Sequence, residues 1–485
     1  MILFFAKKTK RARRPWATER PYTQSVSVRA PRVFKPYILL FAGLTAVYHS
    51  NMRPIPSGDS LCTSLVPLSI LLDHSVLLDR FGPWLFSHVP YTREVIRFKR
   101  GHYYSGYPIA GGVLVTPLYL PLLLVPGLRG GDPESLVVLA RILEKFAAAA
   151  IAAFSAVVML ALLLRLTSRC WAWRLTLVYA LATATWSIAS QALWQHTTVE
   201  LAIVGALYFL EAWWRNRESA GALWLCGACA ACALMIRPGE VVLLITLAAA
   251  FLVARARLLD YVRLFVLPAL GGLLALAYNL YFFQNPTGTY TFGMWAGSAL
   301  KGVVGLLVSP GRGLLIYMPI ALFALCAFLP AASDARRKHA PLLVASSTLL
   351  VLHFLVVSRV NLWWGGYCWG PRYLTEIMPL LVILMALGSA ELERPWVRRA
   401  LAVVAVYCVL IQALGVYFYP NGHWDNTPVS VDRAGYRVWD WRDNPIRRTL
   451  DAGPLWQPYV IVAAGLTGGL PAASRKMREL GVHLY

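Results

Sequence analysis

Residues 146–164 read FAAAAIAAFSAVVMLALLL, a run of 19 residues in which no side chain carries a charge. As an α-helix this run would be about 28 Å long, which matches the roughly 30 Å hydrocarbon core of a bilayer. Of the 485 residues, 58% are hydrophobic and only 14% are charged, and the mean hydropathy is +0.56. Soluble domains carry about 25% charged residues. The sequence therefore predicts an all-α polytopic membrane protein.

The net charge is +23, with 46 Lys and Arg residues against 23 Asp and Glu residues. In a soluble domain such an excess would point to a nucleic-acid partner. In a membrane protein the cytoplasmic loops carry the excess of Lys and Arg, which accounts for the charge without nucleic acid. We therefore expect the lipid bilayer, and no nucleic acid, as a partner.

Apolar segments of roughly membrane-spanning length recur along the whole chain and predict about 12 transmembrane helices. They are 36–49, 137–165, 174–191, 197–214, 220–236, 239–254, 261–283, 314–330, 341–358, 373–390, 399–418 and 454–471. A further stretch, 109–126, carries several prolines and a Gly-Gly pair. If it crossed the bilayer, the basic loops after it would face outward, so we predict a re-entrant or juxtamembrane helix pair there.

This topology divides the chain into regions and places the protein in the cytoplasmic (inner) membrane, with an active site facing outward. The predicted regions are a basic cytoplasmic tail (1–35), a membrane-embedded catalytic domain (36–418) that includes a large first outer loop (50–108), an outer loop (419–453), and a last transmembrane helix with a cytoplasmic tail (454–485).

The first outer loop holds an acid, Asp59, in the sequence Ser57-Gly58-Asp59-Ser60. Such a sequence before an apolar run is a good helix N-cap. A carboxylate about ten residues beyond a membrane exit can also serve as a general base, and both interpretations can hold together. We therefore treat Asp59 as the candidate catalytic residue.

The same loop returns to the membrane through Lys99, Arg100, His102 and Tyr104. One interpretation is a solvated basic patch at the level of the lipid head groups, with the tyrosine as an interfacial anchor. The other is a substrate site, in which the two cations bind a lipid-linked phosphate and the ring residues contact a sugar.

Further polar residues lie near the predicted outer ends of spans. Arg312 lies in a tight turn, Ser-Pro-Gly-Arg-Gly, and Arg372 follows a stretch of interleaved tryptophans and glycines. Arginine binds phosphate in a bidentate fashion, and aromatic faces suit a sugar or an isoprenoid. An aromatic belt, lone hydrogen-bonded histidines and a local ion pair are the structural alternatives. The remaining candidate substrate-binding residues are His196, Arg237, Glu240, Trp363, Trp364 and Trp369.

Taken together, Asp59, the returning segment 104–108, the turn 309–313 and the stretch 363–373 resemble the type-C (GT-C) membrane glycosyltransferases. The likeness covers most of 36–418. Within that superfamily the chain looks most like the bacterial relatives of protein O-mannosyltransferase and of the lipid A aminoarabinose transferase. Well-known members often carry two adjacent acids in this loop, whereas Ser60 follows Asp59 here.

The resemblance implies a glycosyltransferase that moves a sugar from a polyprenyl-phosphate donor to a hydroxyl of a lipid, glycan or protein acceptor. Asp59 would accept the proton of that hydroxyl. The donor phosphate would be stabilised by Lys99, Arg100, Arg312 and Arg372. The resemblance implies no cofactor and no metal ligands, and it leaves a divalent metal open because the second acid is missing.

Two other functions fit the same polar groups. A transporter or flippase of a lipid-linked saccharide also needs cations and aromatic rings, but it places ionisable residues near the bilayer midplane and often shows repeats. An outer-face glycan ligase or polymerase would use a late catalytic loop, for which 419–453 with His423 is the candidate.

Overall fold

The computed structural model describes residues 34–89, 91–290, 292–420 and 422–481. Nearly all regular structure in these residues is helical, and the sheet they contain is one antiparallel pair of strands. This architecture confirms the predicted all-α membrane protein. The predicted basic tail, 1–35, lies almost wholly outside the described residues.

The longer α-helices coincide with apolar segments of the sequence, while both strands and several short helices lie in the predicted loops. The α-helices are α1 (Lys35–His49), α2 (Gly58–Asp73), α3 (Gly82–His88), α4 (Thr92–Val95), α5 (Ala110–Val115), α6 (Pro133–Leu166), α7 (Arg169–Leu181), α8 (Gln195–Arg215), α9 (Ala220–Ile236), α10 (Val241–Ala254), α11 (Leu258–Phe283), α12 (Ala299–Val308), α13 (Leu314–Tyr317), α14 (Ser333–Lys338), α15 (Ala340–Ser358), α16 (Met378–Leu387), α17 (Ser389–Leu392), α18 (Pro395–Tyr417), α19 (His423–Asn426), α20 (Pro445–Ala452) and α21 (Gln457–Glu479); the strands are β1 (Ile96–Lys99) and β2 (His102–Ser105).

Shorter helical pieces connect them. They are the 3-10 helices Thr116–Leu124, Leu128–Gly130, Pro238–Glu240, Phe292–Trp295, Pro319–Phe328, Pro330–Ala332, Arg372–Ile377 and Gly435–Trp439, and the π-helix Thr185–Ala189.

Four helices in the described residues are long and apolar enough to cross a membrane: α6, α11, α15 and α18. A fifth span results if Pro319–Phe328 and Pro330–Lys338, bent by 64°, are taken as one. Shorter apolar helices are Ala110–Leu124, Ala220–Ile236, Pro238–Ala254 and Ala299–Val308. The total of about 12 transmembrane helices stays a prediction.

Several of the predicted apolar spans are divided in the structure, among them 314–330 and 174–191. The segment 314–330 changes from α-helix to 3-10 helix, and its pieces begin at Pro319 and Pro330, which have no N–H to continue a helical ladder. The segment 174–191 is interrupted after Leu181, where the Thr183 hydroxyl donates to the Tyr179 carbonyl. Hydroxyl side chains that bond to the backbone compete with helix continuation in this way.

The stretch 109–126 forms the α-helix α5 followed by the 3-10 helix Thr116–Leu124, which contains Pro117 and Pro121. These prolines cannot donate to a regular α-helical ladder, so the second piece is wound more tightly. Leu124 is 84% exposed, and the pair packs against α2. The position of this pair in the bilayer stays a prediction.

The helix α6 forms the centre of the bundle and packs against α1, α7 and α8. Its inner face is a stripe of fully buried alanines that includes Ala148, Ala152 and Ala156. Small side chains let helix backbones approach closely, which is the usual basis of packing within a membrane. The helix α11 lies at the periphery of the bundle, because only 17% of its most apolar 18-residue stretch is buried.

Candidate functional site around Asp59 and Arg372

Asp59 lies in the first turn of α2, where the helix dipole favours a negative charge. Its Oδ2 accepts a hydrogen bond from Arg372 Nη1 at 2.6 Å, and its Oδ1 accepts one from the Tyr107 hydroxyl at 2.7 Å. The Asp59 side chain is 39% exposed, whereas that of Arg372 is 8% exposed. The carboxylate is therefore held by two partners and still open to a ligand on one side.

The environment of Asp59 acts on its pKa in two directions. Burial raises the pKa of the carboxyl, but the Arg372 guanidinium, the Tyr107 hydroxyl and the charge of His196 lower it more, so the net pKa lies below the ordinary value. Arg372 and Tyr107 respond in the opposite sense, and the pKa of each is raised. At neutral pH the pair is therefore an ionised carboxylate and a guanidinium cation.

Arg372 begins a 3-10 helix directly after Pro371, and Gly370 before it has a φ of +63°, a left-handed conformation that suits glycine. The guanidinium carbon lies 5.6 Å from the ring centre of Trp194 and 5.6 Å from that of Tyr373. Its Nε is buried and has no hydrogen-bond partner among the described residues. One N–H of Arg372 is therefore buried without a partner among the described residues, and it lies 3.7 Å from the position of a Cβ added at Gly365.

Glu376, four residues after Arg372, contacts a second group of ionisable side chains. Its Oε1 accepts a hydrogen bond from His196 Nδ1 at 2.7 Å and forms an ion pair with Arg237. His353 Nε2 lies 3.7 Å from Glu376 Oε2, and His353 Nδ1 lies 3.6 Å from Glu240 Oε1. The structure thus brings three predicted residues, His196, Arg237 and Glu240, into one buried network.

Tyr290 joins this network to the Asp59 pair from another loop. Its hydroxyl donates to Gln195 Oε1 at 3.1 Å, and burial raises its pKa to about 12 despite the opposing charge of Arg237. The adjacent Thr289 hydroxyl donates to the Gly106 carbonyl, next to Tyr107. These contacts place the loop after α11 beside the base of the first outer loop.

Tyr290, His353 and Glu376 were not among the predicted site residues, and Tyr107 was named only within the returning segment 104–108. A signal existed for His353 and Glu376, because both lie within predicted apolar spans, where an ionisable residue is costly and is commonly functional. No comparable signal marked Tyr290, since interfacial tyrosines are common in membrane proteins.

Arg312 does not join the Asp59 pair. Its fully buried guanidinium forms an ion pair with Asp425 at 2.6 Å and donates to the carbonyl oxygens of Trp364 and Gly366 at 3.0 Å each. These partners occupy its planar donors, and the side chain is 0% exposed. Arg312 therefore ties the turn 309–313 to the outer loop, and its contacts among the described residues include neither Asp59 nor Arg372.

Lys99, Arg100 and His102 lie at the far end of the β1–β2 hairpin. Lys99 Nζ donates to Gln284 Oε1 at 2.8 Å, and the Arg100 guanidinium lies 5.8 Å from the ring centre of Tyr281. His102 Nδ1 pairs with Asp79 at 2.7 Å. Lys99 and Arg100 therefore lie against the end of α11, His102 lies against Asp79, and none of the three contacts Arg372 among the described residues.

Tyr104, on the same hairpin, is also used structurally. It is 3% exposed, and its hydroxyl donates to the Phe282 carbonyl at 3.2 Å. The base of the hairpin is the part that contributes to the site. There Gly106 lies so close to Val95 that an added Cβ would stand 2.7 Å from the Val95 carbonyl oxygen, and Tyr107 follows directly.

The three predicted tryptophans are buried and packed. Trp363 lies over Gly305 of α12, Trp364 donates from Nε1 to Asp432 at 2.7 Å, and Trp369 stacks edge-on against Tyr317. They shape the loop that presents Arg372 and leave little ring surface open to a sugar. Among the described residues, no group of three or more His, Cys, Asp or Glu side chains is arranged to hold a metal ion.

Comparison with known proteins gives a result at the level of the fold. No protein-family model matches the sequence, and no curated protein sequence matches it. The structure is similar to the crystal structure of ArnT from Cupriavidus metallidurans bound to undecaprenyl phosphate, with a TM-score of 0.52, 16% identity, 91% of this chain covered and 74% of that chain. ArnT in the apo state gives a TM-score of 0.48 at 16% identity, over 90% of this chain and 74% of that chain. The similarity to the undecaprenyl-phosphate-bound structure shows that this chain shares the fold of ArnT.

Proposed function

We propose that this protein is a membrane glycosyltransferase that uses a polyprenyl-phosphate-linked sugar as donor. The observation that carries the proposal is the direct contact between the Asp59 carboxylate, whose side chain is 39% exposed, and the buried Arg372 guanidinium. The fold shared with ArnT, whose crystal structure holds undecaprenyl phosphate, supports the donor class.

The proposed reaction is a single displacement. The oxygen of an acceptor hydroxyl attacks the anomeric carbon of the sugar while its proton passes to Asp59. The bond between that carbon and the phosphate oxygen breaks, and the polyprenyl phosphate leaves with the electron pair. Arg372 stabilises the negative charge that develops on the departing phosphate, a contribution of about 2–4 kcal/mol for a preorganised donor.

The contact between Arg372 and Asp59 suggests a second role for Arg372 in the proposal. With the guanidinium at 2.6 Å, the Asp59 carboxylate is a weak base. A donor phosphate would compete with Asp59 for the same guanidinium, which would release Asp59 for proton transfer. The proposal thus couples donor binding to the activation of the base.

The remaining parts of the proposal follow the predicted topology. The protein is proposed to lie in the cytoplasmic membrane with the Asp59 site facing outward, where it takes a lipid, glycan or protein acceptor. The catalytic domain is proposed to be 36–418, with about 12 transmembrane helices. No cofactor enters the proposed steps, and a divalent metal stays open.

The test is a transfer assay on the purified full-length protein with an undecaprenyl-phosphate sugar donor. Asp59→Asn is expected to fold normally and to lose transfer, because the amide cannot accept the proton. Asp73→Asn is the matched control, since it removes an acid from the other end of α2 that pairs with the partly exposed Arg80. Normal transfer by Asp59→Asn would remove this residue from the mechanism.

A specific observation favours one alternative, the flippase of a lipid-linked saccharide. Glu376 and His353 are buried ionisable residues within predicted spans, as expected for a transport pathway. In proteoliposomes without an acceptor, a flippase would translocate the labelled lipid-linked saccharide, whereas a transferase would leave it in place. Mass spectrometry of cell-envelope glycans with and without the protein would then identify the sugar and the acceptor.

A further inference from the structure

The β1–β2 hairpin carries three cations that contact no acidic side chain among the described residues: Lys99 and Arg100 at its tip, and Arg97 nearer its base. Arg97 Nη1 donates to the Arg93 carbonyl, Lys99 donates to Gln284, and Arg100 lies over Tyr281. Within the described ranges no carboxylate forms an ion pair with any of them. The neighbouring Arg80 and His102, by contrast, each pair with an aspartate.

The backbone at the tip has a conformation in which asparagine or glycine is preferred to arginine. Lys99 pairs with His102, so the two-residue turn is Arg100-Gly101, with φ values of +53° and +83°. Both residues of such a type I′ turn need a positive φ, for which Asn-Gly is preferred. An arginine is costly there, and strain that persists at a surface position suggests a function for the side chain.

The tip is held at the end of a lipid-facing helix. α11 ends at Phe283, and Lys99 bonds to Gln284, the next residue. Tyr281, in the last turn of α11, is 65% exposed. Arg100 therefore lies level with the last turn of a predicted span, at the depth where lipid phosphates and interfacial aromatic rings are found.

Exposed aromatic side chains lie beside the cations of the hairpin, at the predicted surface of the membrane. Phe98 is 56% exposed between Arg97 and Lys99, and Tyr281 lies beside Arg100. A cationic surface with exposed rings is complementary to an anionic head group above acyl chains. We propose that the hairpin tip docks on the head groups of anionic phospholipids of the surrounding bilayer.

The position of the tip distinguishes this ligand from the donor of the proposed function. The register pairs Ile96 with Ser105 at the base and Lys99 with His102 at the tip. Three residues of antiparallel strand separate the two ends by about 10 Å. Tyr107, beyond the base, is the residue that contacts Asp59. A phosphate held at the tip is therefore displaced from the reacting carboxylate.

The experiment is native mass spectrometry of the full-length protein in detergent with phosphatidylglycerol, with phosphatidylcholine, and with undecaprenyl phosphate as separate probes. The hairpin variant is Arg97→Gln, Lys99→Gln and Arg100→Gln. We expect its retention of phosphatidylglycerol to fall by about fivefold or more, the factor for one basic residue at an anionic surface. Retention of phosphatidylcholine and of undecaprenyl phosphate is expected to stay unchanged.

The matched control removes the same charge elsewhere, through Arg433→Gln, Arg442→Gln and Arg447→Gln, three exposed arginines of the outer loop. An equal loss of phosphatidylglycerol in this control, or no loss in the hairpin variant, would overturn the proposal. Loss of undecaprenyl phosphate in the hairpin variant would also overturn it, because the tip would then belong to the donor site. Arg100→Asn keeps the turn geometry and should lose phosphatidylglycerol while folding normally.

Discussion

Replacing Arg372 by alanine should raise the pKa of Asp59 and destabilise the fold in a pH-dependent manner. Two unit charges about 4 Å apart interact by about 4 kcal/mol at an effective dielectric constant of 20, and by about 1 kcal/mol in water. Because the Asp59 side chain is 39% exposed, solvent screening keeps the value below the upper figure. We expect a loss of about 1–3 kcal/mol, which corresponds to a pKa increase of about 1–2 units.

The sign of the pH dependence follows from the direction in which the pKa of Asp59 is shifted in the wild type and in the variant. In the wild type the folded pKa of Asp59 is below its ordinary value, so the pair stabilises the fold above that value and loses its effect as the pH falls through the folded pKa. In the variant, burial dominates and the folded pKa is raised, so the ionised form is destabilising at neutral pH. The stability gap between wild type and variant should therefore be largest near neutral pH and narrow as the pH approaches 4.

The assay is thermal unfolding in detergent, followed by tryptophan fluorescence between pH 4 and pH 7, for the wild type, Arg372→Ala, Asp59→Asn and the double variant. The pH dependence of the gap should disappear in the Asp59→Asn background. Arg80→Ala is the control, because it breaks a partly exposed pair with Asp73 that contributes about 0–1 kcal/mol. A gap that is independent of pH, or unchanged by Asp59→Asn, would refute the reasoning.

Three further predictions concern the surroundings of the pair. Arg312→Ala should destabilise the protein by about 3–5 kcal/mol in thermal unfolding, because it leaves Asp425 as an uncompensated buried charge; a loss below that of Arg80→Ala would contradict this. Glu376→Gln should reduce both stability, by about 2–4 kcal/mol, and transfer, because Arg237 and His196 lose their shared carboxylate. Unchanged unfolding and turnover in Glu376→Gln would show that the network is dispensable. Arg100→Gly should stabilise the fold by about 1 kcal/mol in the same unfolding assay, since the residue has a φ of +53°, and a destabilised variant would argue against backbone strain.

Arg312 and Arg372 lie in similar sequence contexts, but the structure places them in different environments. Each follows a glycine or proline turn near an apolar segment, and each is a good candidate for a phosphate contact. In the structure the Arg312 guanidinium is enclosed by Asp425 and backbone carbonyls. The Arg372 guanidinium pairs instead with Asp59, whose side chain is 39% exposed. Burial depends on which loop lies over the arginine, and no property of the flanking residues determines that.

Membrane class and most of the helical segments were determined by the sequence itself, because hydrocarbon length and backbone hydrogen bonding act on consecutive residues. Asp59 and Arg372 were identified as candidates from residue type and neighbours alone. Their ion pair was decided only by the tertiary structure, since the two residues are far apart in the chain and meet through helix packing. The partners of Glu376 were also decided only by the tertiary structure. Its position in an apolar segment indicates that an ionised side chain is costly there, but it does not identify the residues that pair with it. Charge pairing is a property of distance in space, and composition, periodicity and spacing do not contain that distance.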